Sequence, residues 1–264
     1  MLDKLALERD VDNVRKLAPL VHSITNHVVM NFNANALLAV GASPIMAHAI
    51  DEMEDMTKIC SSLVINIGTL ENAWVESMIT AGKSMKKLAR PIVLDPVGSG
   101  ATAYRTEVCH KIITECKPTI IRGNGSEIMS LVDSSVLSKG VDSSMSSSAA
   151  LEAAKYLAQS SGAVVVISGE TDYITDGERV ETISNGSTMM TSVTGMGCTA
   201  TAICGAFAAV NPDAFQASVS AMATMGIAGE RAAAYSKGSG SLYVNFLDEL
   251  YNITGEIAKR EVRE

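Results

Sequence analysis

Strand-like and helix-like patterns alternate along most of this 264-residue chain. Alternation of that kind predicts an α/β fold with a largely parallel central sheet and helices on both faces. Two further observations refine the prediction. The strand candidates are short and almost wholly apolar, as in Leu63-Val64-Ile65-Asn66-Ile67 and Ala163-Val164-Val165-Val166-Ile167, which suits strands covered on both sides. Late in the chain, Asp176-Gly177 separates the apolar-rich runs 173–175 and 179–183, a β-hairpin signal that adds antiparallel edge strands.

Taken in order, residues 2–17 read as an amphipathic helix with Leu7, Val11, Val14 and Leu17 at helical spacing. A strand follows at 19–25, and Asn26-His27 leads into a helix over 28–40 with Gly41 where a C-terminal cap belongs. Residues 43–47 read as a strand and 51–61 as a helix. The strand 63–67 ends at Gly68 and precedes a helix over 70–88; the strand 91–94 ends at Asp95 and precedes a helix after Tyr104. The strand 119–121 ends at Arg122 and is followed by a short helix near 125–132. The Ser-rich tract 133–148 reads as a surface connection, followed by a helix over 149–160, the strand 163–167 ending at Ser168, and the hairpin. Helices at about 197–210, 213–234 and 243–262 finish the chain. With no internal repeat and no convincing linker, residues 1–264 are read as one domain.

Composition narrows the function classes. Hydrophobic residues make up 47% and aromatics only 4%, so the core is built from aliphatic and small side chains. No run reaches the ~18 apolar residues of a membrane span, and the charged start lacks a signal-peptide core, so a soluble, cytoplasmic protein is expected. A net charge of −8 argues against a general nucleic-acid binder. Five cysteines without a C-x-x-C pair suggest neither a disulfide framework nor a zinc site.

The chemistry gathers at Thr194-Gly195-Met196-Gly197-Cys198, which opens an Ala-rich helix. A glycine turn feeding a helix start leaves the amides of Gly195, Met196 and Gly197 free, and with the helix dipole they attract an anion such as phosphate. Cys198 stands at that mouth, where a thiolate is favoured; an ordinary loop before a packed helix fits the same residues. Ligands of open α/β sheets bind beyond the carboxyl ends of the strands. The residues there include Asn26, Met46, Gly68, Asp95, Arg122 and Ser168. Asn124 and Glu127 follow Arg122 and add oxygen atoms which, with Asp95, suit Mg²⁺. The same pair also has the spacing of a helix cap and its N3 acid. An anion-binding helix mouth, an Arg and metal-type oxygens on one rim are the parts of phosphoryl transfer. No Walker pattern offers another phosphate site.

Together the segments 22–48, 63–70, 91–102, 119–128, 164–177 and 192–202 resemble the ribokinase-like superfamily and, within it, the hydroxyethylthiazole kinases. The resemblance implies ATP-dependent phosphorylation of the hydroxyl of 4-methyl-5-(2-hydroxyethyl)thiazole in thiamine biosynthesis and salvage, with Mg²⁺, by a homotrimer with active sites between subunits. It implies that Met46 and Gly195 contact the thiazole and that Asn26 and Gly68 lie by the substrate alcohol; Val28, like Met46, can pack against a small ring, while its spacing by itself reads as plain core. It further implies that Arg122, Ser168 and, less directly, Asn124 contact ATP, and that Asp95 and Glu127 serve Mg²⁺ and phosphate. The wider superfamily usually has Asp where this chain has Cys198, a mark of the thiazole kinase branch. Three other readings compete. They are a superfamily relative (a kinase for a hydroxymethylpyrimidine or pyridoxal type alcohol, or an ATP-dependent repair dehydratase), a cysteine hydrolase using Cys198, and a non-catalytic nucleotide sensor. His27 and His48 stand near the expected rim without an assigned proton-transfer role.

Overall fold

The computed structural model describes residues 2–132 and 147–264. Its frame is an eight-stranded sheet built from β1 (Leu20–Ile24), β2 (Ser43–Ile45), β3 (Ser62–Asn66), β4 (Ile92–Asp95), β5 (Ile120–Asn124), β6 (Val164–Ser168), β7 (Asp172–Thr175) and β8 (Val180–Ile183). The spatial order is β2-β1-β3-β4-β5-β6-β7-β8. Pairing is parallel from β2 through β6 and antiparallel for β6–β7 and β7–β8. The hairpin signal at Asp176-Gly177 thus marks the point where parallel pairing has already given way to an antiparallel edge. The chain runs from β1 outward to β2 and then back past β1 to β3, so the topological switch lies between β1 and β3. That is where ligands of open α/β sheets bind.

Period-two alternation distributes the strand residues between two cores. Val21, Val64, Val93, Ile120, Val164 and Val166 face one cluster. Ile24, Leu63, Ile65, Leu94, Ile121 and Val165 face the other. The first cluster is covered by α1 (Lys4–Leu17), α2 (Met30–Val40), α8 (Met196–Ala208), α9 (Ala214–Ala233) and α10 (Ser239–Asn252). The second is covered chiefly by α4 (Asn72–Lys87), α5 (Ala103–Cys116) and α7 (Ser147–Ser161), with short helices α3 (Met53–Ile59) and α6 (Gly125–Ser130). The helices on both faces and the mixed edge are those expected from the alternation.

Several boundaries differ for physical reasons. The segment over 51–61 opens with a 3₁₀ turn at Ile50–Glu52 before α3. The final helix is two helices, α10 and α11 (Gly255–Glu261), broken at extended Ile253. Arg15 donates to the carbonyl oxygens of Leu250, Tyr251 and Ile253 (2.8–3.1 Å) and so caps α10, while Thr254 caps α11 through the Ile257 amide. Leu17, at the end of α1, is exposed rather than core. The Ser-rich tract lies outside the described residues except for its last two, which begin α7.

The central helix α8 is buried continuously from Thr199 to Ala208, and its small residues let the backbone approach the sheet. A Cβ on Gly205 would lie 2.5 Å from a Val64 methyl. Gly205→Val is therefore expected to destabilise the fold by roughly 1–3 kcal/mol through overpacking, read as a fall in the urea midpoint without a change in slope.

Candidate active site

A chain of buried polar groups crosses the carboxyl end of the sheet at the switch point. The Asn26 amide donates to Asn66 Oδ1 at 2.8 Å, and Asn66 Nδ2 donates to Asp95 Oδ2 at 2.8 Å. The second donor on Asp95 Oδ2 is the Thr201 hydroxyl, also at 2.8 Å. Asn26 Nδ2 also approaches Cys198 Sγ at 3.5 Å. The register of β3 against β4 places Asn66 directly beside Asp95. Gly68 completes the turn after β3 by donating its N–H to Asn66 Oδ1 at 2.9 Å, and a Cβ there would sit 2.6 Å from the Asn26 amide nitrogen. The structure therefore joins Asn26, Gly68, Asp95 and Cys198 in one network.

Helix α8 opens at Gly195, which adopts φ 88°. A side chain there would be strained and would strike a Val29 methyl at 2.5 Å. Thr199 is the residue whose N–H first finds a helix acceptor, Gly195 O at 2.8 Å. The amides of Met196, Gly197 and Cys198 precede it and have no acceptor within the helix. A Cβ on Gly197 would lie 2.9 Å from Arg122 Nη1, so the guanidinium stands against the helix mouth. Arg122 is only 7% exposed. Its Nη2 donates to Ser168 Oγ, while its Nε is buried with no acceptor.

Asn124 and Glu127 form a reciprocal capping box at the start of α6. The Glu127 carboxylate accepts the Gly98 N–H at 2.8 Å and the Asn124 N–H at 2.9 Å. The cap reading of this pair therefore holds. It leaves further lone pairs on both oxygens, and a Cβ on Gly123 would crowd Oε2 at 3.2 Å. The charge of Glu127 raises the cost of ionising Asp95. Among the described residues no three His, Cys, Asp or Glu side chains converge as a closed cation cage. A hydrated Mg²⁺ that keeps its waters and takes one or two carboxylates fits this donor set.

Burial dominates the titration of the site. It lifts Asp95 to about 6, with Arg122 pulling the other way. Burial also lifts Asp172 to about 6, against the Gly169 N–H that it accepts at 3.0 Å. Cys198 is pushed up to about 11 by burial and then by the Asp95 charge, against hydrogen bonds from Asn66 and Asn26. The thiolate expected at the helix mouth is thus corrected to a thiol, because loss of water and the Asp95 charge outweigh the Asn66 and Asn26 hydrogen bonds and the Arg122 charge.

On the substrate side, Val28 is 64% exposed, and its N–H binds Asn26 Oδ1 at 3.0 Å. It is neither core nor enclosed within this chain. Met46 is half-buried against the first core cluster just beyond β2. Sequence reasoning missed Asn66, Thr201 and Arg105. Asn66 carried a signal, being the one polar residue inside the run 63–67. Arg105, which fastens the carbonyl oxygens of Ile67, Gly68 and Val97 at 2.7–2.9 Å, carried none, since partners 8 to 38 residues away leave no local pattern.

A raised carboxylate penalises folding once the unfolded chain ionises. Between pH 4 and about 6 the native Asp95 holds its proton longer than the unfolded one, so its contribution to stability falls as pH rises and stays low above 6. Asp95→Asn removes that penalty. Urea denaturation is expected to show the variant gaining on the wild type from pH 4 to 6 and holding a constant advantage above; a gap that shrinks with rising pH would contradict it.

Residues 11–256 match the model of the hydroxyethylthiazole kinase family. A hydroxyethylthiazole kinase of Leptospira biflexa serovar Patoc is 54% identical over 253 residues, covering 96% of this chain and 95% of its own length. The solved hydroxyethylthiazole kinase of Pyrococcus horikoshii OT3 superposes with a TM-score of 0.90 at 39% identity, covering 97% of each chain. A pyridoxal kinase from Staphylococcus aureus shares the fold alone, with a TM-score of 0.60 at 17% identity over 80% of this chain and 88% of that one. The chain belongs to the hydroxyethylthiazole kinase family.

Proposed function

We propose that this chain transfers the γ-phosphoryl group of ATP to the hydroxyl of 4-methyl-5-(2-hydroxyethyl)thiazole, for thiamine biosynthesis and salvage. The observation that carries the reading is the meeting of three groups at one rim. They are the unpaired amides opening α8, a buried Arg122 with a spare N–H, and the Asp95–Asn66–Asn26 chain leading to Cys198. Family membership supports the substrate class. A single kinase domain, a cytoplasmic location and a homotrimer with sites between subunits belong to the same proposal. The exposed Val28 beside Asn26 is available to a neighbouring subunit. No helix among the described residues is long and apolar enough to cross a membrane.

In this reading Arg122 and Ser168 bind the ATP phosphates, and the amides of Gly195, Met196 and Gly197 stabilise charge on the transferred group. Asn124 contributes at the nucleotide side from its cap position. Asp95 and Glu127 would hold Mg²⁺, which supplies charge neutralisation to the phosphates when bound. Thr201 and Asn66 keep Asp95 aimed at the rim. Asn26, Val28, Met46, Gly68 and Gly195 receive the thiazole alcohol. Transfer of this kind is loose, so positioning and charge contribute more than an early proton acceptor does. A protonated Cys198 is compatible with that chemistry and acts as a helper beside the alcohol.

Incubation with Mg-ATP and a panel of small alcohols, followed by mass spectrometry, is expected to show phosphorylated thiazole alcohol. Preferential phosphorylation of a hydroxymethylpyrimidine or pyridoxal would replace the substrate assignment, and ATP-independent ester hydrolysis would replace the reaction class. Cys198→Ala is expected to lose less than about tenfold in kcat, below the usual range for a general base; complete loss with folding and ATP binding intact would refute the helper role. Glu127→Gln keeps a residue that suits the capping box. It is expected to lower kcat about 10- to 100-fold and to raise the Mg²⁺ concentration needed, since metal charge neutralisation contributes several kcal/mol. An unchanged Mg²⁺ dependence would remove Glu127 from the metal.

A further inference from the structure

Trp74, the chain's only tryptophan, lies in the first turn of α4 and is 6% exposed. Its ring is flanked by two histidines on the rim. His27 and His48 each lie with ring centroids 4.6 Å from Trp74, tilted by 51° and 38°. The two histidines come from different strand ends. His27 follows Asn26 beyond β1, and His48 follows Met46 beyond β2. These segments have little else to hold them together, because the β1–β2 ladder stops at His22↔Ile45. Beyond it, His22 Nε2 meets Ala47 O at 2.8 Å, while His48 Nδ1 meets Met46 O at 3.3 Å within its own segment. On the other side, the His27 N–H donates to Thr69 Oγ1 at 3.2 Å. Aromatic pairs at this separation are favourable beyond their burial, so Trp74 joins two turns that few other contacts connect to each other. A plain core tryptophan would meet aliphatic neighbours on both faces; this one meets an imidazole from each substrate-side segment.

We propose that Trp74 is a positioning residue that locks the Asn26 and Met46 segments into one substrate-binding edge, using His27 and His48 as its two contacts. The proposal rests on the assignment of Asn26 and Met46 to the thiazole side. It predicts a split between the two substrates, since Trp74, His27 and His48 are not among the residues assigned to ATP. Trp74→Phe preserves an aromatic face and is expected to stay within about twofold of wild type. Trp74→Ala, and the double variant His27→Ala with His48→Ala, are expected to raise KM for the thiazole alcohol about tenfold and leave KM for ATP within about twofold, a tenfold change being ~1.4 kcal/mol. Equal rises in both KM values, or no rise in either, would overturn it.

The double variant carries the test if Trp74→Ala fails to fold, because both histidines lie at the exposed rim. Amide hydrogen exchange of ligand-free protein gives a readout that does not depend on the substrate. Exchange across 27–30 and 46–49 is expected to accelerate together, about tenfold, in the variants; acceleration of one segment alone, or of neither, would refute the lock. A wild type that leaves the thiazole alcohol unphosphorylated would instead refute the substrate assignment and leave the exchange result to decide the lock by itself.

Discussion

A carboxylate with 1% exposure stands at the end of the central strand β4, and the arrangement of the rim follows from how Asp95 is kept there. Burying such a group is costly unless hydrogen bonds replace water. Here Oδ2 accepts from Asn66 on the neighbouring strand and from Thr201 on the central helix. The two bonds tie the sheet to α8 at the one place where both must be aligned, since the helix mouth lies a turn before Thr201. The residual cost appears as the raised titration of Asp95.

The same burial shapes the roles of the neighbours. Asn66 accepts from Asn26 and Gly68 and donates to Asp95 and Cys198, so it transmits position rather than proton. Cys198, beside an ionisable carboxylate in a dry setting, is held as a thiol. Arg122 keeps one donor unpaired in the interior, a costly state that a phosphate would relieve. Its place against Gly197 is possible because that residue has no Cβ. Glycine at the mouth of α8 therefore serves geometry twice: Gly195 permits the turn and Gly197 admits the guanidinium.

Much of this was legible in the linear chain. Short apolar runs followed by Asp95, Arg122 and Ser168 announced the parallel sheet and the polar rim at its carboxyl edge, because strands covered on both faces are mostly apolar. Asn26, Gly68 and Gly195 stood at turns, so their place beside the strand ends was readable from position. Asn66 broke an apolar run yet passed unremarked, and Thr201 was hidden among small helix residues. The break between α10 and α11 was illegible because Arg15, more than 230 residues away, supplies the cap.

By itself, then, the sequence determined the order of strands and helices, the antiparallel edge and the residue types at the rim, since all of these follow from local periodicity and turn chemistry. The tertiary structure alone decided which polar atoms share a bond, that Cys198 remains protonated, that Glu127 is engaged in a cap, and that Trp74 joins two separate turns. Those outcomes depend on desolvation and on contacts between residues far apart in the chain. Neither leaves a periodic trace in the order of amino acids.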